Sequence, residues 1–345
     1  MRTANTILLR LNQKKTKLCL METRTLILSK TLSCLFCVFC FVAYVSASLS
    51  FNFYAASCPT AEFLIRNTVR SSSSDDPSIP GKLLRLVFHD CFVEGCDASL
   101  MLQGNNTEQT DPGNRSVGGY SVIESAKRVL ELFCPGTVSC ADIIALAARD
   151  AVEIAGGPMI PIPTGRKDGM VSVASNVRPN IVDTSFTMDE MVKIFSAKGL
   201  SLFDLVVLSG AHTIGEAHCN TFRDRFQEDS MGKLIDKTID NSYANELKKQ
   251  CPSSDMASVT VNIDPETSMV FDNQYYKNLV VHKGLFQSDS VLLNDDSTRK
   301  FVEDFANDQE LFFESWDQSF MKLTSVGVKT GDEGEIRRIC GATNA

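Results

Sequence analysis

Beyond residue 50, apolar residues return every third or fourth position over most of the chain. That spacing gives a helix one buried stripe. The period predicts helices over 60–71, 81–91, 122–132, 139–154, 188–196, 201–213, 242–250, 274–282 and 298–323. Strict alternation is scarce, and 160–163 and 258–263 read as short strands. The serines at 71–74, followed by Asp75, Asp76 and Pro77, read as a loop between elements. End signals agree with the helices. Ser139 can cap a helix with Asp142 three residues on, and Gly156-Gly157-Pro158 stops it. Ser201 precedes an apolar run that ends near Gly215. No internal repeat or long low-complexity tract occurs. The expected fold class is mainly α with minimal short β-strands.

The N-terminal region has a different pattern. Residues 31–45 read TLSCLFCVFCFVAYV without a charge, preceded by Arg24 and Lys30 and followed by Ser46, Ala47 and Ser48. A basic flank, an apolar stretch and small residues at its end are the parts of a secretory signal peptide. The stretch is about 15 residues, short of the roughly 20 needed to span a bilayer. Residues 1–48 are therefore expected to be a removed signal region, with Met21 an alternative start. Residues 49–345 are expected to be the mature domain, with no membrane span.

Charge and cysteine usage sharpen this picture. The whole chain carries 34 Lys+Arg and 42 Asp+Glu, a net −8. Seven of the basic residues but only one acid, Glu22, lie before residue 49, which leaves 27 basic against 41 acidic residues, a net −14, in the body. A surface of that sign repels nucleic acid, so no nucleic-acid partner is expected. No coiled-coil pattern is present, and a monomer is expected. Of the 12 cysteines, Cys19, Cys34, Cys37 and Cys40 fall in the leading segment. The remaining eight are an even number in an exported chain, which points to four disulfides. Eight cysteines allow on the order of a hundred pairings, so spacing does not choose among them. The body lacks a CxxC pair, which argues against a zinc site.

Only four histidines exist, His89, His212, His218 and His282. In Lys82–His89, KLLRLVFH, Arg85 and His89 are four apart and share a helix face, with Phe88 beside them. A guanidinium next to an imidazole in an apolar helix needs either a structural partner or a chemical use. Asp90, Asp97 and Ser99 then place hard oxygens around the Gly95 turn, a pattern fit for calcium but without EF-hand spacing. In LVVLSGAHTIG, His212 lies on an apolar stripe, where a satisfied core histidine and a metal ligand are both open. His218 and His282 have polar neighbours and read as surface residues.

Taken together, LLRLVFHDCFVEGCDAS and LVVLSGAHTIG, with FYAASCP, CPGTVSCAD, GGP, PTGRKDG, VFDNQYY and GLFQSD, resemble the secretory plant haem peroxidases of class III. The resemblance runs from about Phe53 to Cys340. It implies two helical lobes sandwiching one haem b, with hydrogen peroxide and small phenolic donors as partners. His212 would be the axial iron ligand and Asp289 the acceptor for its other ring N–H. His89 would be the distal proton acceptor and Arg85 its electrostatic helper. Asn114 would fix the His89 tautomer, Glu108 would hold Asn114, and Phe88 would keep bulky donors from the iron. Pro163 would contact aromatic donors.

The same resemblance implies two Ca2+. One would use Asp90, Val93, Gly95, Asp97 and Ser99; the other Thr213, Asp264, Thr267, Val270 and Asp272. It also selects the pairing Cys58–Cys134, Cys91–Cys96, Cys140–Cys340 and Cys219–Cys251. Of the two sequons, Asn105 is the expected glycan site and Asn114 should stay bare, because it belongs to the distal pocket. The family often has Arg where this chain has Gly118, and Asn where it has Glu94. Trp316, the single tryptophan, lies outside the matched motifs. The short tail after Cys340 favours the cell wall or apoplast. A haem-holding protein without turnover would need His212 only, and a haem-free disulfide module would not need the Arg85–His89 pair.

Overall fold

A computed structural model describes residues 48–344. The expected signal region lies, apart from Ser48, outside the described residues. The described chain is helical: α1 (Ala61–Asp75), α2 (Ile79–Val93), α3 (Tyr120–Phe133), α4 (Cys140–Ile154), α5 (Met188–Ala197), α6 (Leu202–Ser209), α7 (Asn241–Gln250), α8 (Gln274–Val280), α9 (Gln287–Ser290), α10 (Asp296–Asn307) and α11 (Gln309–Leu323). Its one sheet is the antiparallel pair β1 (Glu216–His218) and β2 (Thr260–Asn262), with Ala217 opposite Val261. Among the described residues no helix is long and apolar enough to cross a membrane.

Helix α4 is the axis of the N-terminal half. Its sequence is mostly small and apolar, and every residue from Cys140 to Val152 is buried. Helices α1, α2 and α3 pack on it. The charges it carries are paired. Arg149 meets Asp150 at 2.9 Å and Glu62 at 2.7 Å, and Arg66 reaches Asp150 at 3.3 Å. At its start the Asp142 N–H donates to Ser139 Oγ. The Asp142 carboxylate does not close a capping box. It accepts from Tyr54 Oη at 2.6 Å, Gly165 N at 2.7 Å and Arg166 Nη1 at 2.8 Å. Arg166 in turn donates to Thr324 O, just after α11. This buried node ties α4 to the 163–166 segment and to the C-terminal helix.

The main core is continuous through α1–α6, α8, α10 and α11. A smaller core of Phe222, Phe226, Tyr243, Leu247, Val261 and Phe286 lies under the sheet. Four disulfides join Cys58–Cys134, Cys91–Cys96, Cys140–Cys340 and Cys219–Cys251. The third closes a separation of 200 residues, and such a bridge stabilises by about 2–4 kcal/mol, chiefly through the unfolded chain.

Several elements differ from the periodicity. The helix expected over 298–323 is two, broken at Asp308, whose carboxylate accepts from Leu311 N and caps α11. The 71–74 serines continue α1 rather than leave it, and Ser74 Oγ donates to Arg70 O inside the helix. Residues 160–163 form no strand; Thr164, just after them, makes an isolated bridge to Ser50. The helix expected over 201–213 gives way after Ser209 to a tight 3-10 turn, Gly210–Thr213, which carries His212.

Candidate functional site

The distal side is built on α2. Arg85, Phe88 and His89 lie on successive turns, and Phe88 is braced by Phe92 (ring centroids 4.3 Å), itself against Phe195 (5.0 Å). His89 Nδ1 lies 2.6 Å from Asn114 Oδ1. Asn114 Nδ2 donates to the Glu108 main-chain carbonyl at 2.9 Å. That bond fixes the amide orientation, so its oxygen must face His89, and His89 Nδ1 must carry the proton. Nε2 is then the lone pair, and Arg85 Nε–H donates to it at 3.2 Å. Arg85 is held further by Ser116 Oγ at 3.0 Å. Burial first, and the Arg85 charge second, depress the His89 pKa to about 3, against a smaller opposing pull from Asn114. His89 is therefore a neutral imidazole with one free-electron pair presented beside a cation.

On the proximal side the 210–213 turn presents His212. Its Nδ1 lies 2.8 Å from Asp289 Oδ1 on α9. Nε2 makes no hydrogen bond among the described residues, and about a third of the side chain is open. Asp289 Oδ2 accepts from Phe286 N at 2.8 Å, and Tyr275 Oη donates to Oδ1 at 3.0 Å. The Phe286 and Tyr275 rings stand edge-on to the imidazole at 5.2 and 5.9 Å. Buried Arg225 clamps the segment leading to Asp289 through Gly284 O, Leu285 O and Ser290 Oγ. The distal helix approaches the chain just after His212 backbone to backbone. A Cβ on Gly81 would lie 2.7 Å from the Gly215 Cα. Only glycine at 81 permits this spacing.

Two oxygen-rich loops flank these histidines. In the distal one, Asp90 accepts from Ala98 N and Leu100 N, and Asp97 from Ser99 N. Asp90, Asp97 and Glu108 are buried together, and Asp90's pKa is driven up by burial and then by the other two charges. Ser99 Oγ and both Glu108 carboxylate oxygens are buried without a partner. Burial pushes Glu108 up to about 8. Lys329's ammonium pairs with Asp97. The Gly95 carbonyl accepts from Asp97 N, and that of Val93 lies 3.5 Å from Lys198 Nζ. Gly95, at φ +103°, abuts Gly327 so closely that any Cβ there would strike the Gly327 carbonyl.

In the proximal loop, Thr213 and Thr267 hydroxyls converge on Asp264 Oδ2 and Asp272 Oδ1 at 3.0–3.5 Å. Among the described residues neither carboxylate has a basic partner. Val270 N donates to Thr267 O in the same loop. No three His, Cys, Asp or Glu side chains converge at metal-binding geometry among the described residues. The proximal loop offers two carboxylates and the expected distal set two of its own, with hydroxyls and carbonyls for the rest, an arrangement calcium accepts and transition metals do not favour.

The remaining expected residues fall as follows. Glu108 supports Asn114 through its main chain, not its carboxylate. The Pro163 carbonyl accepts from Arg166 Nη1 at 2.8 Å and from no other group among the described residues. Asn105 is exposed and Asn114 is buried. His282 is exposed, but His218 is half-buried on β1 with Nδ1 unpartnered. Lys82's stem packs over Gly118, where a side chain would collide with it. Glu94 Oε1 accepts from Asn176 Nδ2 at 2.6 Å. Sequence reasoning did not single out Ser116, Tyr275, Arg225 or Lys329. Tyr275 stands inside the VFDNQYY motif, which was its only signal.

An imidazole with a fixed lone pair beside a guanidinium, and a second imidazole anchored by a carboxylate with Nε2 unclaimed, form the paired arrangement of a haem peroxidase. A family model described as peroxidase matches residues 65–308. The chain belongs to that family, in its plant class III branch, and is an oxidoreductase that uses hydrogen peroxide to oxidise donor molecules at a haem. It is 66% identical over 301 residues to peroxidase 18 of Arabidopsis thaliana, covering 86% of this chain and 92% of the relative. It is 65% identical over 301 residues to peroxidase 46 of the same plant, covering 87% and 92%. Peroxidase 66 of that plant is 45% identical over 307 residues, covering 88% and 94%.

Proposed function

We propose that the mature chain, from about residue 49, is an extracellular peroxidase of the apoplast or cell wall that binds haem b and two Ca2+ and oxidises small phenolic donors. Each turnover consumes one hydrogen peroxide and two phenols and releases two phenoxyl radicals and two waters. Removal of peroxide under oxidative stress and oxidation of wall phenolics such as lignin or suberin precursors would follow from that chemistry. The observation that carries the reading is the fixed tautomer of His89, with Nδ1 on Asn114 and Nε2 beside Arg85.

The described residues fit the cofactor. His212 Nε2 is unclaimed and aromatic rings hold its plane, so His212 would be the axial ligand. Bound haem would supply the metal that coordinates peroxide and takes up its oxidising equivalents. The protein does the proton work. Peroxide entering the cleft takes the Nε2 lone pair over from Arg85. His89 accepts the proton of the near oxygen and returns it to the far one, which leaves as water. The freed Arg85 guanidinium faces the charge that develops on the departing oxygen. Phe88 and its aromatic brace keep larger molecules from that position. Asp90 follows His89 and Thr213 follows His212, so a calcium ion held by each loop would set the orientation of both imidazoles.

The test is spectroscopic. Purified protein should show a five-coordinate ferric haem band that falls on adding peroxide and recovers on adding a phenol. His89→Leu should keep the band and lose the peroxide response by about 10²–10⁴-fold or more. A protein that stays colourless after hemin is supplied, or a His89→Leu variant with unchanged response, refutes the reading.

A further inference from the structure

We propose that Tyr275 is a positioning residue that sets the strength of the His212–Asp289 hydrogen bond, and so how strongly the imidazole donates to the haem iron. The inference rests on the reading of His212 as the axial ligand. Its ground is that a single carboxylate oxygen, Asp289 Oδ1, accepts both from His212 Nδ1 at 2.8 Å and from Tyr275 Oη at 3.0 Å. The other oxygen is taken by Phe286 N. A phenol is a donor at neutral pH. A second donor on Oδ1 draws off part of the negative charge that would otherwise pull on the His212 N–H, and in a buried site that competition is strong. Asp289 and Tyr275 are both buried.

The placement of the phenol is over-determined. Tyr275 is the second residue of α8, and Gln274 N, one residue before it, donates to Asp272 Oδ1 of the proximal loop at 2.8 Å. Tyr276 Oη, one residue after it, donates to Val206 O and Val207 O of α6, the helix that runs into the His212 turn. The helix bearing Tyr275 is thus registered against both the proximal loop and the ligand's own helix. A tyrosine needed only to fill space would require no such aim at one oxygen. The bland alternative, a buried hydroxyl that merely satisfies itself, predicts a cost in stability and nothing at the iron.

The experiment uses the haem-loaded protein and its Tyr275→Phe variant, which keeps the ring between His212 and Tyr276. Removing the hydroxyl should return charge to Oδ1 and strengthen the pull on His212. The iron–histidine stretching band of the ferrous protein should move to higher frequency, and the ferric/ferrous midpoint should move negative. Asp289→Asn should move both the opposite way. Phe286→Leu removes the other ring beside His212 while its main-chain N–H still donates, and should leave the band in place. A Tyr275→Phe band and midpoint equal to the parent's overturn the proposal. So does a Phe286→Leu shift as large as that of Tyr275→Phe, because packing would then explain both. His212→Ala tests the premise separately: its band should vanish, and persistence would remove the axial-ligand reading and the proposal with it.

Discussion

Asn114 offers the sharpest test of the distal geometry. Its amide is the only hydrogen-bond partner of His89 Nδ1 among the described residues, at 2.6 Å, and is itself oriented by the Glu108 carbonyl at 2.9 Å. Asn114→Val keeps the volume and removes both bonds. A buried N–H left unpaired costs about 1–3 kcal/mol, and the imidazole is then free to adopt the tautomer that points its proton into the cleft. Each 1.36 kcal/mol of lost transition-state stabilisation is tenfold in rate, so the bimolecular rate constant with peroxide should fall by roughly 10- to 100-fold. Haem content should not change, because among the described residues the Asn114 side chain hydrogen-bonds only to His89 and Glu108. Rapid mixing with peroxide, read at the haem band under single-turnover conditions, measures the step directly. The comparison variant is Glu108→Gln. It alters the carboxylate but not the carbonyl that Asn114 uses, and should stay within about twofold, or roughly 0.5 kcal/mol. Asn114→Val reacting at the parent rate, or Glu108→Gln damaged equally, would refute this role for the Asn114 amide.

Three further outcomes are expected. His89, depressed to about 3 by burial and by Arg85, is neutral from alkaline pH down to about 4, so the peroxide step should be flat over that range and fail below it; an inflection near the unperturbed 6.5 would contradict the buried-base reading. The linked stability has the opposite sense to a paired histidine: between 6.5 and 3 the unfolded chain binds a proton that the folded chain refuses, so stability falls as pH drops through that window, which acid unfolding curves of His89→Leu against the parent would show. Gly81→Ala places a methyl 2.7 Å from Gly215 backbone, an overpacking of about 1–3 kcal/mol that should lower Tm by several degrees and weaken haem retention; an unchanged Tm would mean that α2 and the 214–215 segment are not in fixed contact. Calcium chelation should lower Tm and loosen haem, since a ligand at 100 times its Kd contributes about 2.7 kcal/mol; identical melting with chelator and with excess calcium would remove both proposed calcium sites.

The sequence made the helices legible wherever one face was apolar, because that period is a property of neighbours along the chain. It misplaced what depends on partners distant in sequence. The 201–213 helix gives way to a 3-10 turn at Gly210, where Tyr276 and Phe312 from other elements leave no space for a side chain. The 298–323 run reads as one helix because nothing local distinguishes Asp308 as a cap from Asp308 as a solvated residue. At the site, Arg85 and His89 could be paired from their spacing, since both lie on one helix. His212, Asp289 and Tyr275 come from three elements and 77 residues of separation between the first two, so only resemblance could join His212 to Asp289, and nothing joined Tyr275. Glu108 shows a further limit: its contact with Asn114 runs through the main-chain carbonyl, and no side-chain pattern records that.

The two histidines show how one side chain takes opposite tasks from the charge of its neighbour. His89 Nδ1 rests on a neutral amide, whose oxygen fixes the tautomer without adding negative charge, while Arg85 opposes a second proton. The imidazole stays neutral and its Nε2 is free to take and return a proton, which a histidine locked to a carboxylate could do only from a higher pKa. His212 Nδ1 rests on Asp289, whose charge is transmitted through the ring and makes Nε2 a stronger donor to a metal. Both rings are flanked by aromatic side chains and both precede an oxygen-rich loop. Although His89 is buried on α2 and His212 is about a third open on a 3-10 turn, the decisive difference is the partner of Nδ1. It lies in amide against carboxylate, one atom set in each partner. Tyr275 then adjusts the second case by sharing the oxygen, which is a finer control than exchanging the partner itself.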